Sequence, residues 1–332
     1  MKALVSVASI VIIIAGLRAG SAVLVPLVAA AFVTLLTFPI VQSLRRSGVP
    51  RLVAVTMTVL AILAVIVGPS AGIAAAVRRF GAAAPEYEDR LRQLAAGAFA
   101  WLRSYNIETQ HIAGFFDAGR VLNVLVGALG AIVTLFWVGF LVVLIAAFML
   151  VAATAVADRR GVVLPDGLRD NLARITRQIQ GYLAVKTVVS MGTGLTAGAW
   201  VGFLGVDFAV LWGLLAFVLN FVPNIGSVLA AFPPALLALV QFGPGAAALV
   251  VLGYVAVNSL FSYFVEPYLM GRRLNLSPLV VVVSVITWGW IWGVAGVLLA
   301  VPMTMVIKLG LESSDDLKWV AALMSGDNGD GH

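Results

Sequence analysis

The residues that could do chemistry in this chain are few, and most kinds of active site are missing. There is no cysteine, so thiol nucleophiles, thiolate metal sites and disulfides are excluded. The two histidines are His111, in a polar stretch, and His332. They leave almost no material for a histidine metal cluster or a Ser-His-Asp triad. No Gly-x-x-x-x-Gly-Lys-Ser/Thr loop occurs, and Gly192, Gly194 and Gly198 sit inside an apolar run rather than after a strand. The sequence therefore points away from an enzyme and from an ATP-driven pump, and it implies no cofactor and no metal.

What remains is chemistry of binding and of charge. In Asn220-Phe221-Val222-Pro223-Asn224-Ile225-Gly226, Pro223 removes a backbone donor and Gly226 relaxes the chain. Amides and carbonyls freed in this way are tolerated at membrane depth only where they are buried in protein or line a wet cavity. Asn220 and Asn224 add side-chain donors and acceptors, so this break is the leading ligand-lining or gating candidate. The second break, Trp288-Gly289-Trp290-Ile291-Trp292-Gly293, offers indoles that can stack on a solute or anchor a helix at the interface. Two ionisable residues, Glu266 and Lys186, are candidates for ion coupling, because an intramembrane charge is a functional hypothesis by default. For Glu266 the competing reading is a salt bridge or cap at a span end. For Lys186 it is a side chain that snorkels to the surface. Asp207 reads as an N-cap, Asn258 as an interhelical bond, and Gly194, Gly198 and Gly202 as a smooth packing ridge, with a transport-related sliding surface as the second reading.

The elements that carry these residues are helices in lipid. Of the 332 residues, 62% are hydrophobic and 11% charged; a soluble domain averages about 45–50% and about 25%. The net charge of +6 fits basic cytoplasmic loops better than a nucleic-acid partner. Apolar segments run over about 3–17, 20–42, 52–76 and 122–156, and then almost continuously from 181 to 308. The first of these reads as a retained span rather than a signal peptide.

The expected organisation is N-terminal transmembrane helices over 1–76, an extracytoplasmic helical region over 77–121 and a transmembrane helix over 122–156. A cytoplasmic amphipathic helix over 157–180, a transport core over 181–311 and a cytoplasmic tail over 312–332 complete it. In 77–121 the apolar stripe is Leu91, Leu94, Ala98, Leu102 and Tyr105; in 158–180 it is Leu168, Leu172, Ile175, Ile179 and Leu183. Arg45, Arg46 and Arg51 place the loop after the second span in the cytoplasm, and both termini with it.

The arms on either side of Asn220–Gly226 are short. Thirteen residues reach only about 20 Å, against a hydrocarbon core of about 30 Å. The chain is therefore an all-α polytopic membrane protein with about eight transmembrane helices, or about six spans plus two re-entrant hairpins. The segments Gly226–Pro233 and Ala295–Pro302 can be laid over each other, and interrupted segments in matching halves are the mark of an inverted repeat.

The C-terminal half also resembles a known family. Asn220–Gly226, Glu266-Pro267-Tyr-Leu-Met-Gly271-Arg272, Leu276-Ser-Pro278-Leu279, Trp288-Gly289-Trp290 and Val301-Pro302, in this order and spacing, resemble the autoinducer-2 exporter (AI-2E) family of permease-like transporters. The resemblance implies a secondary transporter of a bacterial inner membrane, forming homo-oligomers. It also implies either export of a small polar solute such as the quorum-sensing signal autoinducer-2, or exchange of sodium or lithium for protons. Its partners would be the lipid bilayer and a small polar solute or monovalent cation. Members often carry Gly-Asn where Ser262 and Tyr263 stand here, so the substrate is left open. A membrane scaffold whose 77–121 region binds a partner is the remaining alternative.

Overall fold

The computed structural model describes residues 2–105, 117–158, 166–223, 225–270, 276–312 and 317–325. Every regular element among them is helical: α1 Lys2–Ala19, α2 Ser21–Arg46, α3 Arg51–Ser104, α4 Ala118–Asp158, α5 Asp166–Phe203, α6 Ala209–Leu219, α7 Ile225–Phe242, α8 Pro244–Ser259, a π turn Leu260–Val265, α9 Glu266–Met270, α10 Pro278–Glu312 and α11 Lys318–Met324. Lipid has no groups to pair with backbone amides, and a helix satisfies them within itself. Ser21–Arg46, Trp137–Asp158, Pro244–Leu269 and Pro278–Glu312 are long and apolar enough to cross a membrane, and Arg51–Val65, Ala209–Leu219 and Gly226–Phe242 are shorter apolar helices. Large apolar side chains such as Val65, Phe148, Leu195 and Phe203 lie on the surface, as lipid-facing residues do. The chain is a polytopic helical membrane protein.

Two helices run through boundaries at which composition changes. The stretch 52–76 and the charged stretch after Arg78 belong to one helix, Arg51–Ser104. Asp166–Phe203 likewise joins the amphipathic stretch to the apolar one that follows. Composition reports what surrounds a residue and does not by itself end a helix.

The chain divides into two compact units. The first comprises 1–65, 138–189 and 264–332. Within it α2 is the common partner. Ala30 meets Val142 and Ala146, Val41 meets Ala54, Val55 and Leu150, and Phe32 meets Ile179, Tyr182, Leu183, Val301 and Met305. Small residues bring these helices close, and polar side chains tie them. Gln180 donates to the Leu35 carbonyl at 2.8 Å and Arg51 to the Val151 carbonyl at 3.0 Å.

The second unit comprises 66–137 and 190–263, built around Trp212, Phe80, Leu211, Leu215 and Val201. The buried stripe of α3 is Ile73, Phe80, Tyr87 and Leu91. The expected stripe shares only Leu91 with it; Leu94 and Tyr105 are exposed. The glycine ridge packs against α6. A methyl group on Gly194 would come within 2.7 Å of the Gly213 carbonyl oxygen, and one on Gly198 within 3.1 Å of the Gly213 Cα. Trp200 donates to the Leu249 carbonyl at 3.1 Å and occupies the space a side chain on Gly253 would need.

Candidate transport site

Both predicted breaks are present. Helix α6 ends at Leu219 and α7 begins at Ile225. The second break is a single residue. Gly293 has φ 61° and ψ −142° inside Pro278–Glu312, a backbone state that glycine adopts without steric cost. The chain folds back there. The Trp288 indole donates to Thr304 Oγ1 at 3.2 Å, although a straight helix would separate residues sixteen apart by about 24 Å. The 35-residue stretch is therefore a hairpin and not one span.

The two hairpins cross in the same way. A side chain on Gly226 would overlap the Leu219 carbonyl, and one on Gly296 would overlap the Trp288 carbonyl. In each case a glycine early in the second arm lies on the last turns of the first. Laying Gly226–Pro233 over Ala295–Pro302 puts these glycines one position apart. Pro233 and Pro302 are both helical.

Asn220 is buried, and its amide donates to Ser190 Oγ at 3.0 Å. This bond ties the end of α6 to α5. Pro223 occupies the turn, and Asn224 lies outside the described residues, as do Gly271 and Arg272. Of the three indoles at the second break, Trp288 is committed to Thr304, and Trp292 donates to the Leu17 carbonyl at 3.0 Å. Trp290 is 58% exposed, with the Arg18 guanidinium 4.8 Å from its ring centroid. Gly289 packs on Val297.

The two ionisable candidates meet each other. Lys186 Nζ lies 3.0 Å from Glu266 Oε1 and 3.1 Å from Oε2. Their side chains are 6% and 18% exposed, so Lys186 does not snorkel to the surface. Tyr182, one turn before Lys186, is buried and within electrostatic reach of Glu266. Glu266 opens α9 directly after the π turn Leu260–Val265, and Pro267 follows. Proline lacks an N–H, and its ring presses on the carbonyl one turn earlier; the wider π turn before it relieves that crowding. Such turns occur often at functional sites.

Pro278 is the first residue of α10, a favoured place for proline. Ser277 Oγ accepts from the Val280 amide at 3.3 Å, so the Leu-Ser-Pro-Leu motif is a helix start with its cap. Asp207 is not a cap. Phe208 holds that position without a side-chain bond. The Asp207 carboxylate instead accepts from Tyr87 at 3.0 Å and from Gln241. Asn258 pairs locally, its Oδ1 accepting at 3.3 Å from Ser262 in the π turn that follows. The sequence reading did not pick out Ser190, Thr304, Tyr182 or Tyr87, whose polar atoms are single hydroxyls with no motif around them.

The profile of the AI-2E family of transporters matches residues 7–314. The chain belongs to that family. It is 34% identical over 330 residues to the AI-2 transport protein TqsA of Escherichia coli K12, covering 98% of this chain and 96% of TqsA. It is 31% identical over 333 residues to YhhT of the same organism, a protein described only as a transport protein, covering 98% of this chain and 94% of YhhT. A transport protein of Mycobacterium tuberculosis is 27% identical over 314 residues, with 90% and 85% covered. The family and these relatives are transporters and not enzymes, and this chain is a membrane transporter.

Proposed function

We propose that this AI-2E transporter exports a small polar solute across a bacterial inner membrane, driven by an ion gradient, with its two hairpins as gates. Both termini then lie in the cytoplasm, and the working form is a homo-oligomer. The observation that carries the reading is the pair of interrupted helices, each folded back over a close-packed glycine. Interrupted segments of this kind form solute and ion sites in secondary transporters. Autoinducer-2 is the first solute to test, since TqsA, at 34% identity, is named for transport of it.

The test is efflux of autoinducer-2 from proteoliposomes holding the purified protein, with and without an imposed proton gradient. Protein-dependent efflux that follows the gradient and falls in Asn220→Ala supports the reading. Absence of flux from folded protein under every gradient sinks it for this solute.

A second reading, exchange of a monovalent cation for protons, is favoured by the Lys186–Glu266 pair. A carboxylate already matched to an ammonium group can take another cation in its place. Sodium- or lithium-dependent proton movement that disappears in Glu266→Gln supports this reading, and its persistence in that variant counts against it.

A further inference from the structure

We propose that the cleft between α3 and the start of α6 is a binding site for a membrane lipid with a zwitterionic headgroup, one bearing both a phosphate and a primary ammonium. The cleft has a volume of about 650 Å³, within the range that ligand sites occupy. Gly72, Ile73, Ala76 and Phe208 give it apolar walls, and Arg79 and Asp207 supply two opposite charges.

Its position along α3 selects a lipid. The stretch 52–76 holds no charged residue, and the charges begin at Arg78. The walls from Gly72 to Ala76 thus belong to the hydrocarbon side of that change, and Arg79 to the headgroup side. An occupant with apolar tails and a charged head matches this order.

The charges select the headgroup. Arg79 is exposed and makes no ion pair among the described residues. Guanidinium groups take phosphate through paired, charge-assisted hydrogen bonds. Asp207 is held in place. Its Oδ2 accepts from Tyr87 and Gln241, its amide donates to Gln241 at 3.3 Å, and its carbonyl accepts from Trp212 at 2.8 Å. Oδ1 makes no hydrogen bond among the described residues. A fixed carboxylate and a guanidinium lining one cleft suit a headgroup whose ammonium stands three bonds beyond its phosphate. A quaternary choline offers no N–H to the carboxylate, and a glycerol headgroup offers no positive charge.

The experiment measures retention of dioleoyl lipids with ethanolamine, choline or glycerol headgroups by the full-length protein in detergent, using native mass spectrometry. Arg79→Gln removes an exposed side chain outside the core, and Asp207→Asn keeps the shape of its own. Wild type should retain the ethanolamine lipid about tenfold better than the other two, as loss of one charge-assisted bond implies. Arg79→Gln should reduce that retention by about tenfold, and Asp207→Asn should erase the preference for ethanolamine over choline. Equal retention of all three lipids, or preference for the glycerol headgroup, overturns the proposal. So does equally tight binding of tail-free glycerophosphoethanolamine, which would make the cleft a site for a soluble solute. A change of oligomeric state in Arg79→Gln with lipid retention unaltered would assign the cleft to a second copy of the chain, and the proposal would fail.

Discussion

Lys186 and Glu266 stand 80 positions apart in sequence, yet the ammonium of one lies 3.0 and 3.1 Å from the two carboxylate oxygens of the other. The side chains are 6% and 18% exposed, so each charge depends on its partner in place of water. A buried pair of this kind adds little net stability, but removing one member leaves an uncompensated charge.

Glu266→Gln or Lys186→Met alone should therefore destabilise the protein by about 3–5 kcal/mol. The double variant should recover most of the loss. Thermal unfolding in detergent measures all three. If the double variant regains stability and still does not transport, the pair serves the transport cycle; if it regains both, the pair is structural.

The hairpins were legible in the sequence because they rest on local causes. Asn220–Gly226 gathers proline, asparagine and glycine in one place, and Gly293 supplies the backbone state its turn needs. The ion pair was not legible as a pair. Each residue stood out as a charge in an apolar run, but nothing local says that Lys186 and Glu266 meet. Asp207 shows the converse error. Its position before a helix suggested a cap, and long-range bonds to Tyr87 and Gln241 took its carboxylate instead. On α3, spacing alone allowed several stripes, and packing against Trp212 and its neighbours decided for Ile73, Phe80, Tyr87 and Leu91.

The crossing glycines give a sharper test of the hairpins. A methyl at Gly226 or Gly296 overlaps a carbonyl of the opposing arm, whereas one at Gly310 meets nothing within 4 Å. Gly226→Ala and Gly296→Ala should each cost at least about 1–3 kcal/mol through overpacking, and transport should fall with it. Gly310→Ala, in the same helix as Gly296, should be neutral or slightly stabilising. Parallel measurement of melting temperature and flux checks the contrast.

The indoles at the second break should separate by role. Trp288→Phe and Thr304→Ala each remove one end of the 3.2 Å hydrogen bond, and in a double-mutant cycle their effects should couple by about 0.5–1.5 kcal/mol. Trp290→Phe should leave stability nearly unchanged, because Trp290 is on the surface. Loss of solute flux in Trp290→Phe with stability intact would identify its ring as a contact for the solute.

The Tyr87 cluster predicts an alkaline response. Burial, and then the hydrogen bond to Asp207, push the Tyr87 hydroxyl above its ordinary value. Its neutral form is thus favoured more in the folded protein than in the unfolded chain, where the pKa is about 10. The stabilising contribution is fully present below that value and fades as pH rises through the higher folded value. Tyr87→Phe should lose about 0.5–1.5 kcal/mol at neutral pH, the size of one hydrogen bond. Above pH of about 10, wild type should lose stability faster than the variant, so the two melting curves converge. Melting temperatures for both proteins from neutral pH to strongly alkaline buffer test this, and a gap that stays constant would show that Tyr87 acts through packing and not through its proton.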